Sequence, residues 1–267
     1  GIVSSVGEGV KTHKVGDSVA FFKGFGAFAE KIVLSEALAF SIPDNFPHPV
    51  AAGVFMVYGT SYHALVQRAK ITKDDEVLVL GASGGVGLAA VDIAKSFGAR
   101  VVVAVSTKEK ADVCKRYGVD DVVVYGKEKL DQEGQKIFTK ELKSKSTRGG
   151  FSIIYDPIGD CFAEPALRSI GWGGTYLVVG FAAGKIPSFP TNLMLLKGCA
   201  VSGVFIGRFQ QEEPKQSAQN IKEIGDLLSS GKLTPFISET IPMAKSIDAI
   251  ERIAKRGVVG KVVFVNN

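Results

Sequence analysis

Cysteine is scarce in this sequence: only three cysteines stand among 267 residues, far apart and without C-x-x-C spacing. This scarcity argues against a disulfide framework, and a reducing, intracellular setting fits best. Long apolar runs are also lacking, because none reaches the roughly 18 residues that a membrane helix needs, so we expect no membrane partner. What is present, 46% apolar and 22% charged residues, is typical of a globular protein.

Clusters of one charge sign and sets of metal ligands are missing as well. Lysines and arginines are scattered, so the net charge of +5 indicates a solvated basic surface. The sequence offers no stacking aromatics set among basic residues, so a nucleic-acid partner is not expected. His13, His48 and His63 have no partner cysteine or carboxylate at metal-ligand spacing, and we predict no metal site.

From Glu76 onward, apolar strand-like runs alternate with helical stretches. Because continuous Val/Ile/Leu strands separated by helices are typical of a parallel sheet covered on both faces, the sequence predicts an α/β fold with a Rossmann-type sheet. The predicted strands are Glu76–Leu80, Val101–Val105, Asp121–Tyr125, Ser152–Asp156, Thr175–Gly180 and Ala200–Ile206.

The two ends of the chain have a different pattern. Short strands are predicted at Ile2–Val6, Ser18–Phe22 and Phe25–Val33, with glycine-containing turns between them. Three prolines at positions 43, 47 and 49 then mark a boundary before a predicted helix, Ala51–Ala69. After Pro235 the sequence is again strand-like. There it predicts one helix, Ala244–Lys255, and a last strand, Lys261–Val265.

One glycine-rich motif carries chemistry. A predicted strand ends directly in Gly81-Ala82-Ser83-Gly84-Gly85-Val86-Gly87, and a predicted helix follows. Gly81 and Gly84 permit a tight turn that lets backbone N–H groups approach a pyrophosphate, and Gly87 lets the helix pack closely on the strand. The helix N-terminus adds N–H donors and partial positive charge. With a strand before it and a helix after it, the motif predicts dinucleotide binding, although a merely tight turn is the alternative.

The end of the second strand indicates which dinucleotide is bound. NAD-binding folds usually place an acid there, about 20 residues after the first glycine, to hold the ribose 2′-hydroxyl. Here the chain reads Val105-Ser106-Thr107-Lys108-Glu109-Lys110, with two hydroxyls and two lysines and no acid at the strand end. A 2′-phosphate suits this group, so we predict NADPH as the cofactor. Ordinary helix-surface charge is the alternative for each lysine.

These motifs and several others resemble those of one family. Val15-Gly16-Asp17-Ser18-Val19, Gly26-Ala27-Phe28-Ala29-Glu30, the glycine-rich turn, Tyr155-Asp156-Pro157-Ile158-Gly159 and Val179-Gly180-Phe181-Ala182 are similar, in order, to the medium-chain dehydrogenase/reductase superfamily. Within it they resemble the zinc-free quinone oxidoreductase branch.

The resemblance implies a domain plan. Residues 1–51 and 236–267 would form a split, GroES-like, β-rich catalytic domain around a Rossmann NADPH-binding domain at residues 52–235. The family has about 60–70 further residues before the stretch that starts at Gly1, so we expect this catalytic domain to be truncated. The resemblance suggests a homodimer joined through the edge at Ala200–Ile206. We expect a cytoplasmic protein, or a mitochondrial one if a leader preceded Gly1.

The resemblance also assigns cofactor residues. Ser106, Lys110 and Tyr125 match positions on the 2′-phosphate and adenine side, and Thr60 matches a threonine near the nicotinamide carboxamide. The segments that line the nicotinamide and its ribose match Gly180, Phe181, Phe205 and Ile206. A cofactor-facing arginine matches Arg256. A core role is the alternative for Tyr125 and Phe205.

The implied reaction is zinc-independent reduction of a quinone or an α,β-unsaturated carbonyl. Without zinc no Lewis acid polarises an alcohol for oxidation, whereas an electron-poor acceptor takes hydride at carbon directly. Tyr58 and Tyr62 are candidate proton donors, with an aromatic packing face as the alternative. Two other hypotheses stay open: an alkenal or enone specificity, and a crystallin-like or RNA-binding protein that binds NADPH with little turnover.

Overall fold

The computed structural model describes residues 1–43, 46–255 and 257–266. The chain divides into two compact units. The first comprises Gly1–Met56 and Ile237–Asn267, and the second comprises Val57–Phe236. In chain order the strands are β1 (Val19–Phe21), β2 (Ala39–Ser41), β3 (Glu76–Leu80), β4 (Arg100–Val105), β5 (Asp121–Val124), β6 (Phe151–Asp156), β7 (Ile170–Val178), β8 (Ala200–Gly203), β9 (Ile237–Pro242) and β10 (Lys261–Val265).

Nine α-helices lie between these strands in the part of the chain that the structure describes. In order they are α1 (His48–Tyr62), α2 (Gly85–Ser96), α3 (Lys108–Lys115), α4 (Gln132–Lys145), α5 (Ala163–Arg168), α6 (Thr191–Lys197), α7 (Ile206–Glu212), α8 (Pro214–Ser229) and α9 (Ser246–Ala254). A π-helical segment, His63–Arg68, continues α1. Within the described residues, no helix combines the length and the apolarity needed to cross a membrane.

The second unit is built on six parallel strands in the order β5-β4-β3-β6-β7-β8. Every residue of β3 is buried, and Val77 to Leu80 place apolar side chains on both faces of the strand, as in a sheet covered by helices on both sides. On one face Leu78 and Leu80 join a core with Phe138, Leu142 and Phe162. The predicted α/β class with a Rossmann-type sheet is confirmed. The strand order reverses beside β3, and open α/β sheets bind ligands at the carboxyl ends of the strands at such a point.

Several predicted boundaries in this unit are wrong for a physical reason. The predicted strand Ala200–Ile206 ends at Gly203, because its partner β7 ends at Val178, the residue paired with Gly203. Ile206 is instead buried at the first position of α7, a helix that the sequence did not predict. A strand prediction from sequence depends on the β-forming side chains, and it carries no information on the length of the neighbouring strand.

The predicted helix Ala51–Ala69 begins earlier, at His48. Pro49 lies in its first turn, where the missing N–H has no intrahelical acceptor to lose. The sequence treated this proline as a boundary before the helix, whereas it is part of the helix start.

The first unit contains two small pairs of strands. β1 pairs antiparallel with β2, and β9 pairs parallel with β10. The predicted strand Ile2–Val6 is reduced to one bridge between Ile2 and Ser18. The predicted strand Phe25–Val33 is wrong, since residues 25–33 form bends and irregular structure, with Gly26 at a φ of +87° that leaves the β region. The GroES-like identity of this unit stays a prediction.

Candidate functional site

The glycine-rich turn joins β3 to α2 at the carboxyl edge of the sheet. Gly81 follows the last residue of β3 with a φ of +56°, a left-handed conformation that favours glycine. Its carbonyl accepts a hydrogen bond from the Gly84 N–H at 3.0 Å, which closes the turn. The Gly84 carbonyl in turn accepts from Leu88 N–H at 2.8 Å, so Gly84 starts the helix as its N-cap.

Gly87 brings α2 against the turn. A Cβ at this position would stand 2.6 Å from the Gly81 carbonyl oxygen and 2.7 Å from Ala82 Cα, closer than real Cβ contacts. The helix is therefore seated so tightly on the strand end that only hydrogen fits between them. This is the close helix–strand approach that the sequence predicted for this glycine.

The N-terminus of α2 is suited to an anion. Gly84, the N-cap residue of α2, has no side chain that could accept hydrogen bonds from the N–H groups of the first turn. Uncapped N–H donors and the helix dipole together favour a phosphate at this end. Gly85 and Val86 form the first turn, and Ser83 is buried beside them. The residues present fit a diphosphate.

The ends of β4 and β5 lie next to this turn. Ala82 N–H donates to the Ala104 carbonyl at 3.4 Å, and Tyr125 N–H donates to the Val105 carbonyl at 3.0 Å. Just beyond β4, the Lys110 ammonium donates to Ser106 Oγ at 3.2 Å. The structure thus brings the glycine turn, the Ser106–Lys110 pair and Tyr125 to three adjacent strand ends, where the pair offers a hydroxyl and a positive charge.

Tyr125 has a packing role in addition. Its ring meets Phe162 and Phe138 with centroids 4.6 Å and 5.7 Å away, at the edge of the sheet core. These contacts favour the core role for its ring, whereas its position beside the end of β4 is the one that the cofactor assignment requires.

The residues assigned to the nicotinamide side lie beyond β7 and β8 and at the end of α1. Gly180 N–H donates to the Asp156 carbonyl at 3.3 Å, and the neighbouring Phe181 is exposed. Phe205 is 74% exposed, so its alternative core role is wrong. Ile206 is buried, and its Cδ1 lies 4.0 Å from where a Cβ of Gly59 would stand, next to the buried Thr60. This contact places Ile206 against Gly59, the residue that precedes Thr60.

Two contacts that the sequence did not predict tie α1 to the site. Ser61 Oγ donates to the Val86 carbonyl at 2.9 Å, inside the first turn of α2. The same hydroxyl lies 2.8 Å from the Tyr155 hydroxyl at the end of β6. A serine next to Thr60 on a helix gives no sequence signal of its own, because only the fold brings it to Val86.

Asp156 was also missed as an individual residue. It ends β6, is 2% exposed, and accepts hydrogen bonds from the backbone N–H groups of Ile158 and Gly159 and from the Tyr176 hydroxyl. Burial raises the pKa of its carboxyl, and these hydrogen bonds act in the opposite direction. An acid at the end of a buried strand, followed by Pro157 and Gly159, is the signal that could have identified it.

The two tyrosines considered as proton donors are both engaged elsewhere. Tyr58 is 3% exposed and donates to Asp92 at 2.6 Å, and Tyr62 donates to Glu223 at 2.7 Å. Burial, followed by the carboxylate partner, raises the pKa of both hydroxyls. This geometry favours the packing alternative for both.

The remaining sequence expectations concern an arginine and a metal. Arg256 lies outside the described residues. His63 stacks on Phe209 with ring centroids 3.9 Å apart, and His13 Nε2 lies 3.3 Å from the Ala39 carbonyl oxygen. In the part of the chain that the structure describes, no three His, Cys, Asp or Glu side chains are grouped as a metal site would require.

Known proteins resemble this chain along nearly its whole length. The family model described as zinc-binding dehydrogenase matches residues 85–223. Quinone oxidoreductase-like protein 2 of Bos taurus is 32% identical over 266 residues, which cover 99% of this chain and 74% of the relative. Its Nematostella vectensis homolog is 32% identical over 267 residues, which cover 99% of this chain and 71% of the relative.

Solved structures agree with these relatives. Escherichia coli quinone oxidoreductase, solved in complex with NADPH, has a TM-score of 0.88 and 25% identity, and the match covers 99% of this chain and 80% of that one. A mycobacterial protein, also complexed with NADPH, has a TM-score of 0.89 and 27% identity, with the same coverage of 99% and 80%.

Proposed function

Because this chain belongs to the medium-chain dehydrogenase/reductase family, in its quinone oxidoreductase branch, we propose that it is an NADPH-dependent oxidoreductase that reduces quinones or α,β-unsaturated carbonyls. The observation that carries the proposal is the glycine turn, where Gly87 seats the uncapped N-terminus of α2 beside the end of β3. The Ser106–Lys110 pair at the end of β4 supports NADPH over NADH.

Each part of the chain has a defined task in this proposal. The first turn of α2 holds the diphosphate, and Ser106 and Lys110 hold the 2′-phosphate. The backbone at Gly180 and the side chains of Phe181, Phe205 and Ile206 lie along the nicotinamide and its ribose, with Thr60 at the carboxamide. When bound, NADPH supplies the hydride. These residues contribute binding and orientation of the two reactants.

The substrate class follows from what the site is predicted to lack. The sequence predicts no zinc, and quinones and conjugated carbonyls accept hydride at carbon without such a Lewis acid. The substrate oxygen, on which negative charge develops, then takes a proton from solvent. The Tyr58 and Tyr62 hydroxyls do not supply it, because they donate to Asp92 and Glu223. Quinones are our first choice, and alkenals and enones are the second.

A direct assay tests the reaction. NADPH is mixed with the protein and a panel of quinones, enones and alkenals, and the loss of absorbance at the nicotinamide band is followed. We expect consumption that depends on both protein and acceptor. If calorimetry detects NADPH binding and no acceptor is reduced, the hypothesis of a binding protein with little turnover replaces this one.

A charge reversal tests the cofactor choice. Lys110→Glu places a carboxylate beside Ser106, where the 2′-phosphate would bind, so we expect NADPH to bind about tenfold or more weakly and NADH to change by less than about threefold. Lys115→Glu makes the same charge change at the other end of α3, where Lys115 pairs with Asp112 at 2.9 Å, and serves as control. Equal losses for both dinucleotides would refute the 2′-phosphate assignment.

We also propose that two copies of the chain associate through β8, one of the two edge strands of the sheet. Among the described strands, β8 pairs with β7 alone. An unpaired edge is a template for a second strand, and two copies related by a twofold axis would pair these edges with each other.

A further inference from the structure

We infer that Asp156 is a positioning residue, whose buried carboxylate fixes the phosphate turn and the Gly180-Phe181 segment in one arrangement for the cofactor. This inference rests on the proposed NADPH binding and deepens it. Asp156 does not itself touch the assigned cofactor segments through its side chain. It acts through the short turn Pro157-Ile158-Gly159 that follows β6.

Both oxygens of the Asp156 carboxylate accept hydrogen bonds. One oxygen, Oδ1, accepts from Ile158 N–H at 2.8 Å and from Gly159 N–H at 2.9 Å. The other, Oδ2, accepts from the Tyr176 hydroxyl at 2.6 Å on the neighbouring strand β7. The carboxylate therefore sets the path of the Pro157–Gly159 turn and joins it to the sheet.

This turn touches the phosphate-binding turn. A Cβ on Gly81 would stand 2.6 Å from Ile158 Cγ2, so the Ile158 side chain rests against the backbone of Gly81. Gly81 is the residue whose left-handed conformation starts the phosphate turn. A displaced Ile158 would leave that backbone without its lateral support.

The same turn holds the segment assigned to the nicotinamide side. Pro157 and Ile158 carbonyls accept from Ala182 and Ala183 N–H groups at 3.1 Å and 2.9 Å. A Cβ on Gly180 would stand 3.2 Å from the Pro157 carbonyl oxygen. The backbone carbonyl of Asp156 itself accepts from Gly180 N–H.

Removing the carboxylate would leave buried donors without a partner. The N–H groups of Ile158 and Gly159 would lose their acceptor, and the Tyr176 hydroxyl would keep only its longer contact with the Ala163 carbonyl at 3.4 Å. Water does not replace the carboxylate readily, because Asp156 and Tyr176 are both buried. The turn would have to move to satisfy these donors. Because a shift of about 1 Å in a supporting residue weakens a site strongly, the diphosphate and nicotinamide parts of the site would be affected, whereas the Ser106–Lys110 region would not.

The test compares a whole cofactor with its adenosine end. Calorimetry measures binding of NADPH and of adenosine 2′-monophosphate, which reaches only the Ser106–Lys110 region. For Asp156→Ala we expect NADPH to bind about tenfold more weakly and adenosine 2′-monophosphate to change by less than about threefold. Asp156→Asn keeps an oxygen for the two N–H donors, so both ligands should bind within about threefold of wild type.

Two further variants separate positioning from general destabilisation. Glu76→Ala removes another buried carboxylate, at the opposite edge of the sheet where β3 begins, and should lower the melting temperature without changing the ratio of the two affinities. Ile158→Ala leaves the carboxylate in place and removes the contact with Gly81. It should reproduce the selective loss of NADPH even if Asp156→Ala does not fold.

Two results overturn the inference. One is wild-type affinity for NADPH in folded Asp156→Ala or in Ile158→Ala. The other is an equal loss of both ligands in these variants, which would assign Asp156 a merely structural role. Failure of the wild-type protein to bind NADPH is a separate outcome, because it refutes the proposed function itself.

Discussion

Gly87 imposes a tight local constraint on the candidate site, because no Cβ fits at this position. The atoms that a Cβ would meet, the Gly81 carbonyl oxygen and Ala82 Cα, belong to the backbone. Backbone atoms do not turn aside as the end of a flexible side chain does. Any side chain at this position therefore has to push α2 away from β3, and the first-turn N–H donors move with the helix.

Gly87→Ala should therefore damage both folding and binding. Overpacking of this kind costs about 1–3 kcal/mol, and we expect a decrease of that size in the free energy of unfolding, measured by urea denaturation. Calorimetry should show NADPH binding weakened by about tenfold or more, because the donors are displaced.

A second glycine provides the matched control. Gly225 lies in α8 with nothing within 4 Å of an added Cβ. Gly225→Ala should raise the free energy of unfolding by roughly 0.5–1 kcal/mol and leave NADPH affinity unchanged. Wild-type stability and affinity in Gly87→Ala would contradict the close approach on which the site is built.

Candidate site residues that depend on local sequence could be predicted without a structure. The glycines of the turn and the Ser106–Lys110 pair follow from a motif and from a count along the chain. Ile158 was not accessible in this way, because its role comes from a contact with Gly81, which lies 77 positions earlier in the printed sequence. The hydroxyl of Tyr58 was misleading for the same reason, since only the fold brings Asp92 to it.

Strand β3 is anchored at its first residue by a buried acid. Glu76 is 1% exposed and accepts hydrogen bonds from the Ser146 hydroxyl and from the N–H and hydroxyl of Thr147. Arg100, at the start of β4, lies 3.0 Å away through Nη1, as an ion pair without hydrogen-bond geometry. One side chain thus joins β3, β4 and the end of α4.

Burial raises the pKa of Glu76, but the hydrogen bonds and the Arg100 charge outweigh it and lower the pKa overall. Because the pKa is lower in the folded state, the ionised form stabilises the fold. That contribution is fully present above the ordinary value of 4.5, and it is lost as the pH falls through the folded pKa.

Glu76→Gln should accordingly be less stable than wild type by about 1–3 kcal/mol at pH 7, because an amide replaces an acceptor. Urea denaturation at decreasing pH should show the difference between the two proteins narrowing only in the acid range. Glu133→Gln, which removes an exposed ion pair with Lys136, should cost less than about 1 kcal/mol. A difference that is constant with pH would exclude the ionised Glu76 as its origin.

The elements of the sheet differ in how far the sequence predicts them. β3 was predicted with both ends correct, because Val77 to Leu80 form an unbroken apolar run and Gly81 ends it. Where tertiary contacts decide, the prediction was wrong. Phe28 is apolar and was placed in a strand, yet its ring packs edge-on against Phe264 from a bend. The sequence shows that such a residue is apolar, but it does not show which partner its side chain contacts.

The edge of the sheet at β8, through which we propose that two copies of the chain associate, lies beside exposed apolar side chains. Trp172 and Leu195 are 82% and 80% exposed, and Leu196 is 70% exposed. Gly198 lies between α6 and β8 and packs against the Trp172 ring, since a Cβ there would stand 3.2 Å from it. Apolar side chains clustered beside an unpaired strand mark an interaction surface.

Light scattering after gel filtration should therefore give twice the chain mass for the wild-type protein. Leu195→Glu with Leu196→Glu places four carboxylates in a twofold interface and should shift the mass to that of one chain, without changing NADPH affinity. The matched control is Ile247→Glu with Ile250→Glu, which charges two exposed apolar positions on α9 in the other unit. It should leave the dimer intact. A monomeric wild-type protein, or dissociation by the α9 variant alone, would remove β8 as the interface.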